Sequence, residues 1–202
     1  MKLQSLEEKA RAESIPLMKR EGMDFVCAYL HAHPEILHIL EAGTAVGWSA
    51  IRMASVRENI LIDTLEVDKG RYERAVCHVR KAEMEDRIFC HHTDALNYRT
   101  IKYYDLFFID AAKAQYQRIV RHFLSYGYSG SVWIFDNLCF HGMVDNPALS
   151  NNRGTRQMMH KIYAFRKWLS ESRYFVTEFY PEIGDGIAVA RQIQSGESKG
   201  QR

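Results

Sequence analysis

The sequence predicts an α/β protein built on a doubly wound, mostly parallel sheet of seven strands. Short apolar runs alternate with longer amphipathic stretches through most of the chain, and such alternation implies right-handed crossovers and a parallel sheet. The last two apolar runs are separated only by residues 180–185, which is too short for a crossover. The sheet is therefore expected to close with an antiparallel C-terminal hairpin.

The predicted elements follow from apolar periodicity and from helix start and stop signals. Short, mostly apolar runs predict strands at positions 36–40, 60–65, 88–91, 106–109, 132–135, 174–179 and 186–189. The stretches between them predict helices at 5–14, 22–32, 48–56, 69–82, 115–124 and 155–169, and one helical turn at 95–98. Ser5 is the predicted N-cap of the first helix, because Glu8 completes a capping box with it. Pro16 must break that helix, since proline disfavours helical geometry at the preceding residue.

Length and composition favour one domain over residues 1–193, with helices in 5–32 covering a cofactor site and a frayed polar tail at 194–202. Hydrophobic residues make up 47% and charged residues 26%, and the net charge of +2 gives no global signal for a polyanion. No apolar run approaches the ~18 residues of a membrane span, and residues 1–8 lack the apolar core of a signal peptide. The four cysteines form no Cys-x-x-Cys pair, which predicts reduced thiols and a cytoplasmic protein.

Two apolar runs end in oxygen-bearing side chains. Asp110 follows the run 106–109, and Asp136-Asn137 follows the run 132–135. Open α/β sheets bind ligands at the carboxyl ends of their strands, so these side chains converge if the two strands are neighbours. Two carboxylates and an amide oxygen suit a hard cation such as Mg²⁺. The alternative is two unrelated strand-end turns, where Asp and Asn are common.

A second pattern predicts a nucleoside-containing cofactor. Gly43 and Gly47 lie between the first strand and its helix, where glycine allows a tight turn and close approach of a ligand. Glu66 ends the next strand, where an acid can accept hydrogen bonds from both ribose hydroxyls. The spacing is Glu-x-Gly-x-x-x-Gly and not Gly-x-Gly-x-x-Gly, which favours a ligand without a pyrophosphate, such as S-adenosylmethionine. Alternatively, the glycines serve only the geometry of the turn.

Together these motifs resemble the cation-dependent O-methyltransferases, a family that includes catechol and caffeoyl-coenzyme A O-methyltransferases. The matching pieces are Glu41-x-Gly43-x-x-x-Gly47-x-Ser49, Glu66, Asp94-Ala95, Asp110-Ala-Ala-Lys113 and Asp136-Asn137. The resemblance covers roughly residues 15–191 and implies a Rossmann-like class I methyltransferase fold and a homodimer. No membrane partner is expected, because no apolar run is long enough to span a membrane. The resemblance also implies that Mg²⁺ or Mn²⁺ is bound by Asp110, Asp136 and Asn137. The cofactor contacts that it implies are Met18, Gly43, Gly47, Ser49, Glu66, Asp94, Ala95 and Asp110.

The same resemblance makes Lys113 the candidate base and Asp110 a catalytic residue. Lys113 lies three residues after Asp110, and an ammonium group beside a cation loses its proton more easily. Two alternatives remain open at this position. The metal alone can ionise the substrate hydroxyl, or Lys113 is a solvated lysine that opens a helix.

Within the family, the chain is most similar to the bacterial branch that methylates 5-hydroxyuridine at the tRNA wobble position. The similarity lies in Ile15-Pro16-Leu17-Met18, in Asp136-Asn137-Leu138-x-Phe140-x-Gly142-x-Val144 and in Ile183-Gly184-Asp185-Gly186. Ala42 and Trp48 depart from the branch pattern without removing a ligand. The predicted function is therefore S-adenosylmethionine- and Mg²⁺-dependent methylation of that hydroxyl to 5-methoxyuridine. A catechol-like small-molecule substrate is the first alternative. A non-catalytic nucleotide-binding module is the second, which the metal and lysine cluster argues against.

Two features are candidates for contacting the tRNA anticodon loop. The segment 153–173 holds six basic residues and one acid, and its apolar face is predicted to be Met158, Ile162, Phe165 and Leu169. The opposite face would expose Arg156, His160 and Lys167 to phosphates, or simply to solvent. The loop Leu138-Cys139-Phe140 could stack on a flipped base, or only cover the site.

Overall fold

The computed structural model describes residues 3–139, 142, 144 and 151–194, and it forms a seven-stranded sheet with helices on both faces. The strands are β1 (His38–Ala42), β2 (Leu61–Glu66), β3 (Ile88–His92), β4 (Leu106–Ile109), β5 (Val132–Phe135), β6 (Phe175–Tyr180) and β7 (Ile187–Gln192). The α-helices are α1 (Leu3–Ala12), α2 (Arg20–Ala32), α3 (Trp48–Ala54), α4 (Lys69–Lys81), α5 (Tyr116–Phe123) and α6 (Arg153–Ser170). Among these helices, none combines the length and hydropathy that crossing a bilayer requires.

The strand order is β3-β2-β1-β4-β5-β7-β6. The first five strands are parallel, whereas β7 runs antiparallel to both β5 and β6. This confirms the predicted doubly wound sheet with an antiparallel C-terminal hairpin. The register pairs Ala42 with Ile109 and Ile109 with Phe135, so β1, β4 and β5 end level with one another. The residues that follow these three strands are therefore brought to one edge of the sheet.

Two apolar clusters hold the layers together. Helices α1 to α4 pack on one face of the sheet, and α5 and α6 pack on the other. Neighbouring residues Phe107 and Phe108 of β4 are both fully buried and belong to opposite clusters, as a strand covered on both faces requires. The indole of Trp133 on β5 stacks on the Phe107 ring, with the ring centroids 3.9 Å apart. The two strands that carry the site acids are thus anchored in the middle of the core.

Several element boundaries differ from the sequence predictions. Ser5 is not the N-cap of α1, because that helix begins at Leu3 and places Ser5 inside it. The buried acid of α1 is Glu7, which is 4% exposed and accepts hydrogen bonds from Arg11 and Arg20. β1 begins two residues later than predicted, because the Ile36 N–H is bonded back to the turn after α2.

The C-terminal elements also differ in detail. β7 begins at Ile187 and runs to Gln192, because Ala190, Arg191 and Gln192 continue the pairing after the predicted end. The predicted apolar face of α6 is wrong by one residue, since Met159 is buried and Met158 only partly so. Residues 95–97 form a hydrogen-bonded turn after Asp94, as expected. Beyond Gln194, the predicted frayed tail lies outside the described residues.

Candidate functional site

A cavity of about 420 Å³ opens at the carboxyl ends of the parallel strands. It is lined by residues predicted for the metal site and the cofactor site and by the candidate base. These are Gly43, Glu66, Asp94, Ala95, Asp110, Lys113 and Asn137. These positions lie at the carboxyl ends of the five parallel strands, and the register of the sheet brings them together. Pro16 and Leu17, in the segment between α1 and α2, also line the cavity.

Gly43 fixes the turn that follows β1. Its φ is +107°, and a Cβ placed on it would lie 2.2 Å from the Asp110 carbonyl oxygen. Its N–H donates to the Leu65 carbonyl at 3.0 Å, and the Asp110 N–H donates to the Ala42 carbonyl at 3.0 Å. The sequence suggested close approach of a ligand here, but the group that an added Cβ would meet is the backbone of Asp110, directly after β4. Gly47 is the N-cap residue of α3 and packs against Ala75 of α4.

Glu66 is held rigidly at the end of β2. Its side chain is almost fully buried, with the residue 5% exposed, and it still lines the cavity. One carboxylate oxygen accepts from the Ala45 N–H and the other from the Asp68 N–H, both at 2.9 Å. These bonds orient the carboxylate and leave further lone pairs for ligand hydroxyls. On the next strand end, Asp94 accepts from the Leu96 N–H at 2.8 Å.

Three residues implied as cofactor contacts do not line the cavity: Gly47, which packs against α4, and Met18 and Ser49. Met18 is 2% exposed and lies in the core, where Gly22 is one of its neighbours, whereas Pro16 and Leu17 lie against the cavity. The Ser49 hydroxyl donates to the carboxyl group of Glu41, which also accepts from the Thr64 hydroxyl. Glu41 is fully buried, and its burial raises its pKa to about 7.

We call the three predicted metal ligands, Asp110, Asp136 and Asn137, the metal corner. Asp110 and Asn137 line the cavity, and Asp136 is buried behind its wall. Asp136 is 1% exposed, and its Oδ1 atom is buried with no hydrogen-bond partner. Its Oδ2 atom accepts from the Asn137 side-chain amide. Asn137 adopts a left-handed backbone conformation with φ of +62°, which turns the chain away from β5.

Charge at the metal corner is poorly balanced. Burial raises the pKa of Asp110, and the Lys113 ammonium opposes that rise. Burial and the negative charge of Asp110 raise the pKa of Asp136 to about 8. Tyr116 on α5 donates from its hydroxyl to the Asp136 carbonyl at 3.1 Å. Burial and the two acids raise the pKa of Tyr116 well above its ordinary value, so this hydroxyl keeps its proton.

This donor set fits a divalent cation. Two carboxylates and an amide supply oxygen ligands, which Mg²⁺ and Mn²⁺ prefer. A cation would also satisfy the unpaired Oδ1 atom of Asp136 and offset the repulsion between the two acids. In the described part of the chain, no three His, Cys, Asp or Glu side chains gather as a metal site. The amide of Asn137 is therefore an essential part of the set.

Lys113 lies at the mouth of the same corner. It begins the 3₁₀ turn Lys113–Gln115, is half-buried and lines the cavity. Helix α6 packs against this turn. Arg153, His160 and Lys167 of α6 are exposed on the face opposite its buried residues, whereas Arg156 is half-buried. A basic surface thus adjoins the Lys113–Gln115 turn, and its exposed residues include Arg153 in place of the predicted Arg156.

The loop after β5 does not offer the expected stacking surface within the described residues. Leu138 is 1% and Cys139 8% exposed, so neither side chain is free to stack on a base. Their N–H groups donate to the carbonyls of Gly186 and Asp185, at 2.9 and 2.8 Å. Phe140 lies outside the described residues.

Sequence reasoning assigned no supporting role to Glu41 and Asp185, which it quoted only as parts of motifs, and it did not single out Tyr116. Glu41 carried a visible signal, because an acid inside an otherwise apolar strand needs buried partners. Tyr116 and Asp185 act through backbone contacts with distant segments, which no local pattern records.

Comparisons with known proteins identify the family to which this chain belongs. A family model described as O-methyltransferase matches residues 11–193. A caffeoyl-CoA O-methyltransferase of Populus kitakamiensis is 26% identical over 164 residues, which cover 76% of this chain and 69% of that protein. The structure of a candidate caffeoyl-CoA O-methyltransferase from Staphylococcus aureus superposes with a TM-score of 0.89 at 27% identity, covering 95% of this chain and 92% of that one.

A more distant solved structure shares the fold. An O-methyltransferase from Bacillus cereus, solved in complex with SAH, superposes with a TM-score of 0.79 at 22% identity, over 94% of this chain and 90% of that one. The family match spans almost all of the described residues and includes every strand of the sheet. The chain belongs to the O-methyltransferase family.

Proposed function

We propose that this protein is an S-adenosylmethionine- and divalent-cation-dependent methyltransferase that acts on the 5-hydroxyl of a wobble uridine in tRNA. The observation that carries the proposal is the metal corner, where the buried, unpaired oxygen of Asp136 lies in a two-acid, one-amide donor set. This corner adjoins a cavity that also contains Glu66. Membership of the O-methyltransferase family supports methyl transfer to oxygen as the reaction.

The cavity is suited to S-adenosylmethionine. Glu66 can accept hydrogen bonds from the ribose hydroxyls, and the backbone bonds at Ala45 and Asp68 hold it in place to do so. Asp94 and Ala95 lie on the next strand end, where the base of a nucleoside would extend. The Bacillus cereus structure was solved with SAH, and a Streptomyces achromogenes O-methyltransferase, TomG, was solved with SAM.

The residues in and around the metal corner would have different roles in the reaction. A divalent cation held there would lower the pKa of a substrate hydroxyl and fix its position. Lys113, in its neutral form, can take the hydroxyl proton as the oxygen accepts the methyl group and the sulfonium sulfur retains the bonding electrons. Tyr116 stabilises the turn that carries Asp136 and Asn137 by bonding the Asp136 carbonyl.

The substrate assignment rests on different support. A 5-hydroxyuracil places its hydroxyl beside a carbonyl, so it can present two vicinal oxygens to a cation, and a catechol can do the same. The exposed basic residues of α6 beside the Lys113–Gln115 turn favour a substrate with phosphates. The motifs shared with the wobble-uridine branch point the same way. A catechol-like small molecule is the second candidate, favoured by the caffeoyl-CoA O-methyltransferase relative.

The test is methyl transfer from S-adenosylmethionine to tRNA carrying 5-hydroxyuridine at the wobble position, compared with a panel of catechols. The nucleosides of the tRNA are then analysed by mass spectrometry. The proposal expects 5-methoxyuridine, and expects the same tRNA without the hydroxyl to remain unmodified. Efficient methylation of a catechol with no 5-methoxyuridine would assign the small-molecule function instead. Binding of the cofactor without transfer to any acceptor would favour a nucleotide-binding module.

A further inference from the structure

The loop that joins β6 and β7, residues 181–186, contacts both ends of the site. We call it the hairpin loop. On one side it meets the segment between α1 and α2, where Lys19 Nζ donates to the Gly184 carbonyl at 3.1 Å. The same ammonium lies 3.8 Å from the Asp185 carboxylate, whose side chain is only 5% exposed. Gly184 also approaches the start of α2, since a Cβ on it would lie 3.3 Å from the Gly22 Cα.

On its other side the hairpin loop holds the chain that leaves the metal corner. The carbonyls of Asp185 and Gly186 accept from the N–H groups of Cys139 and Leu138. Gly186 has a φ of +84°, and a Cβ on it would lie 2.4 Å from the Cys139 sulfur, so only glycine permits this approach. Leu138 directly follows Asn137, so the hairpin loop restrains the position of the amide ligand.

The segment that Lys19 anchors is also part of the cavity wall. Pro16 and Leu17 line the cavity, and residues 15–19 have no regular secondary structure to hold them. Their position therefore depends on contacts such as the one between Lys19 and the hairpin loop. A ligand that packs against Leu17 would order this segment and, through Lys19, the hairpin loop. Ordering that loop favours one position of Leu138 and hence of Asn137.

We propose that Lys19 and Asp185 are positioning residues that couple cofactor binding to cation binding through the hairpin loop. This inference rests on the proposed function, because it requires both ligands in the same site. Neither residue needs to touch a reacting atom. The coupling must be reciprocal, so the cation tightens cofactor binding by the same factor as the cofactor tightens cation binding.

The experiment measures the affinity for S-adenosylhomocysteine by calorimetry, with and without saturating Mg²⁺, in the full chain. The wild type is expected to bind at least ~5-fold more tightly with Mg²⁺, the lower end of typical coupling. Asp185→Asn and Lys19→Met should each bring this ratio close to one. The double variant should add little to Lys19→Met, because Lys19 makes both of these contacts with the hairpin loop. The controls are Glu182→Gln, an exposed acid in the same loop, and Lys9→Met, an exposed lysine on α1; both should keep the wild-type ratio.

The outcomes separate this inference from the proposed function. A wild-type ratio of one, or an unchanged ratio in Asp185→Asn and Lys19→Met, would overturn the coupling. Methyl transfer that still stops in chelator would leave the proposed function standing in that case. Full methyl transfer in chelator, or no binding of S-adenosylhomocysteine, would overturn the proposed function itself. Lys19 is partly exposed, so its variant should fold even if Asp185→Asn does not.

Discussion

Gly43 and Asp110 are in direct backbone contact, and a Cβ on Gly43 would lie 2.2 Å from the Asp110 carbonyl oxygen. The turn that faces the cofactor cavity is thus packed against the strand end that supplies an acid of the metal corner. Glycine is required at position 43 chiefly because the end of the neighbouring strand is so close, and only secondarily for the approach of any ligand. The two halves of the site therefore share one rigid piece of backbone.

Replacement of this glycine should damage both stability and binding. Gly43→Ala combines an unfavourable φ with a backbone clash, which together should cost roughly 3–5 kcal/mol of unfolding free energy. Gly70→Ala is the matched control, because Gly70 lies in the first turn of α4 and only Asp68 comes near its added Cβ, at 3.4 Å. That control should be neutral or gain up to ~1 kcal/mol. Equal unfolding free energies for the two variants in urea would refute the steric argument.

Glu41 should make stability depend on pH in an unusual direction. Burial raises its pKa from an ordinary value of 4.5 to about 7 in the folded protein. A raised pKa means that the unfolded state loses its proton first. The contribution of Glu41 is therefore complete below pH 4.5 and is lost as the pH rises through about 7. The loss over this window should be about 3 kcal/mol, at ~1.4 kcal/mol per pH unit.

The measurement is the unfolding free energy of the wild type minus that of Glu41→Gln, from denaturant titrations across this pH range. Glutamine occupies the same volume and does not titrate, so it isolates the effect of the carboxyl proton. The difference should fall with increasing pH and level off above pH 7. A difference that stays constant would show that Glu41 has an ordinary pKa in the folded protein.

The fold, and the grouping of the candidate site residues at one edge of the sheet, could be predicted because they follow from short-range patterns. Apolar runs identify parallel strands, and parallel strands that end level must bring Asp110 and Asp136 together. The hydrogen bonds of Glu41 with Thr64, and those of Asp185 with Cys139, join positions far apart in the chain. No local periodicity encodes them. The choice of Met159 over Met158 depends on the rotation of α6 about its axis, which a helical wheel fixes only approximately.

Lys113 should matter for the chemical step and little for binding. Lys113→Met removes the candidate base beside Asp110 and should lower kcat by roughly 10²–10⁴-fold, the usual effect of a general base. Affinity for S-adenosylhomocysteine should stay within about twofold, a change worth well under 1 kcal/mol. Arg118→Met, an exposed cation on α5, serves as the control and should retain full kcat. A kcat within twofold of wild type for Lys113→Met would mean that the cation alone ionises the hydroxyl.

The basic face of α6 should set the salt dependence of tRNA methylation. Arg153→Glu with Lys167→Glu reverses two exposed charges on this face. If each contacts a phosphate, the log–log slope of affinity against salt should flatten by ~1.4, from ~0.7 per single-strand contact. KM for tRNA should rise while kcat changes little, because these residues lie away from the reacting oxygen.

The control is a double variant with the same change in net charge, in which two positive charges on the other face of the sheet are reversed. Lys9→Glu with Arg80→Glu alters exposed residues of α1 and α4. This variant should keep the wild-type salt slope. Equal slopes for both double variants would mean that α6 does not contact the tRNA, and that any salt effect reflects net charge alone.

The metal corner is the central claim, and the thermal stability of Asp136→Asn tests it most directly. Burial and the charge of Asp110 raise the pKa of Asp136 from 3.8 to about 8, so the stability of the folded protein falls as the pH rises from 3.8, and the loss is complete above about 8. At pH 9 in chelator, Asp136→Asn should therefore unfold at a higher temperature than the wild type. Saturating Mg²⁺ should raise the unfolding temperature of the wild type, because it binds the folded state, and should leave Asp136→Asn nearly unchanged. A wild type that Mg²⁺ does not stabilise, or an equal gain in both proteins, would contradict the assignment of Asp136 as a metal ligand.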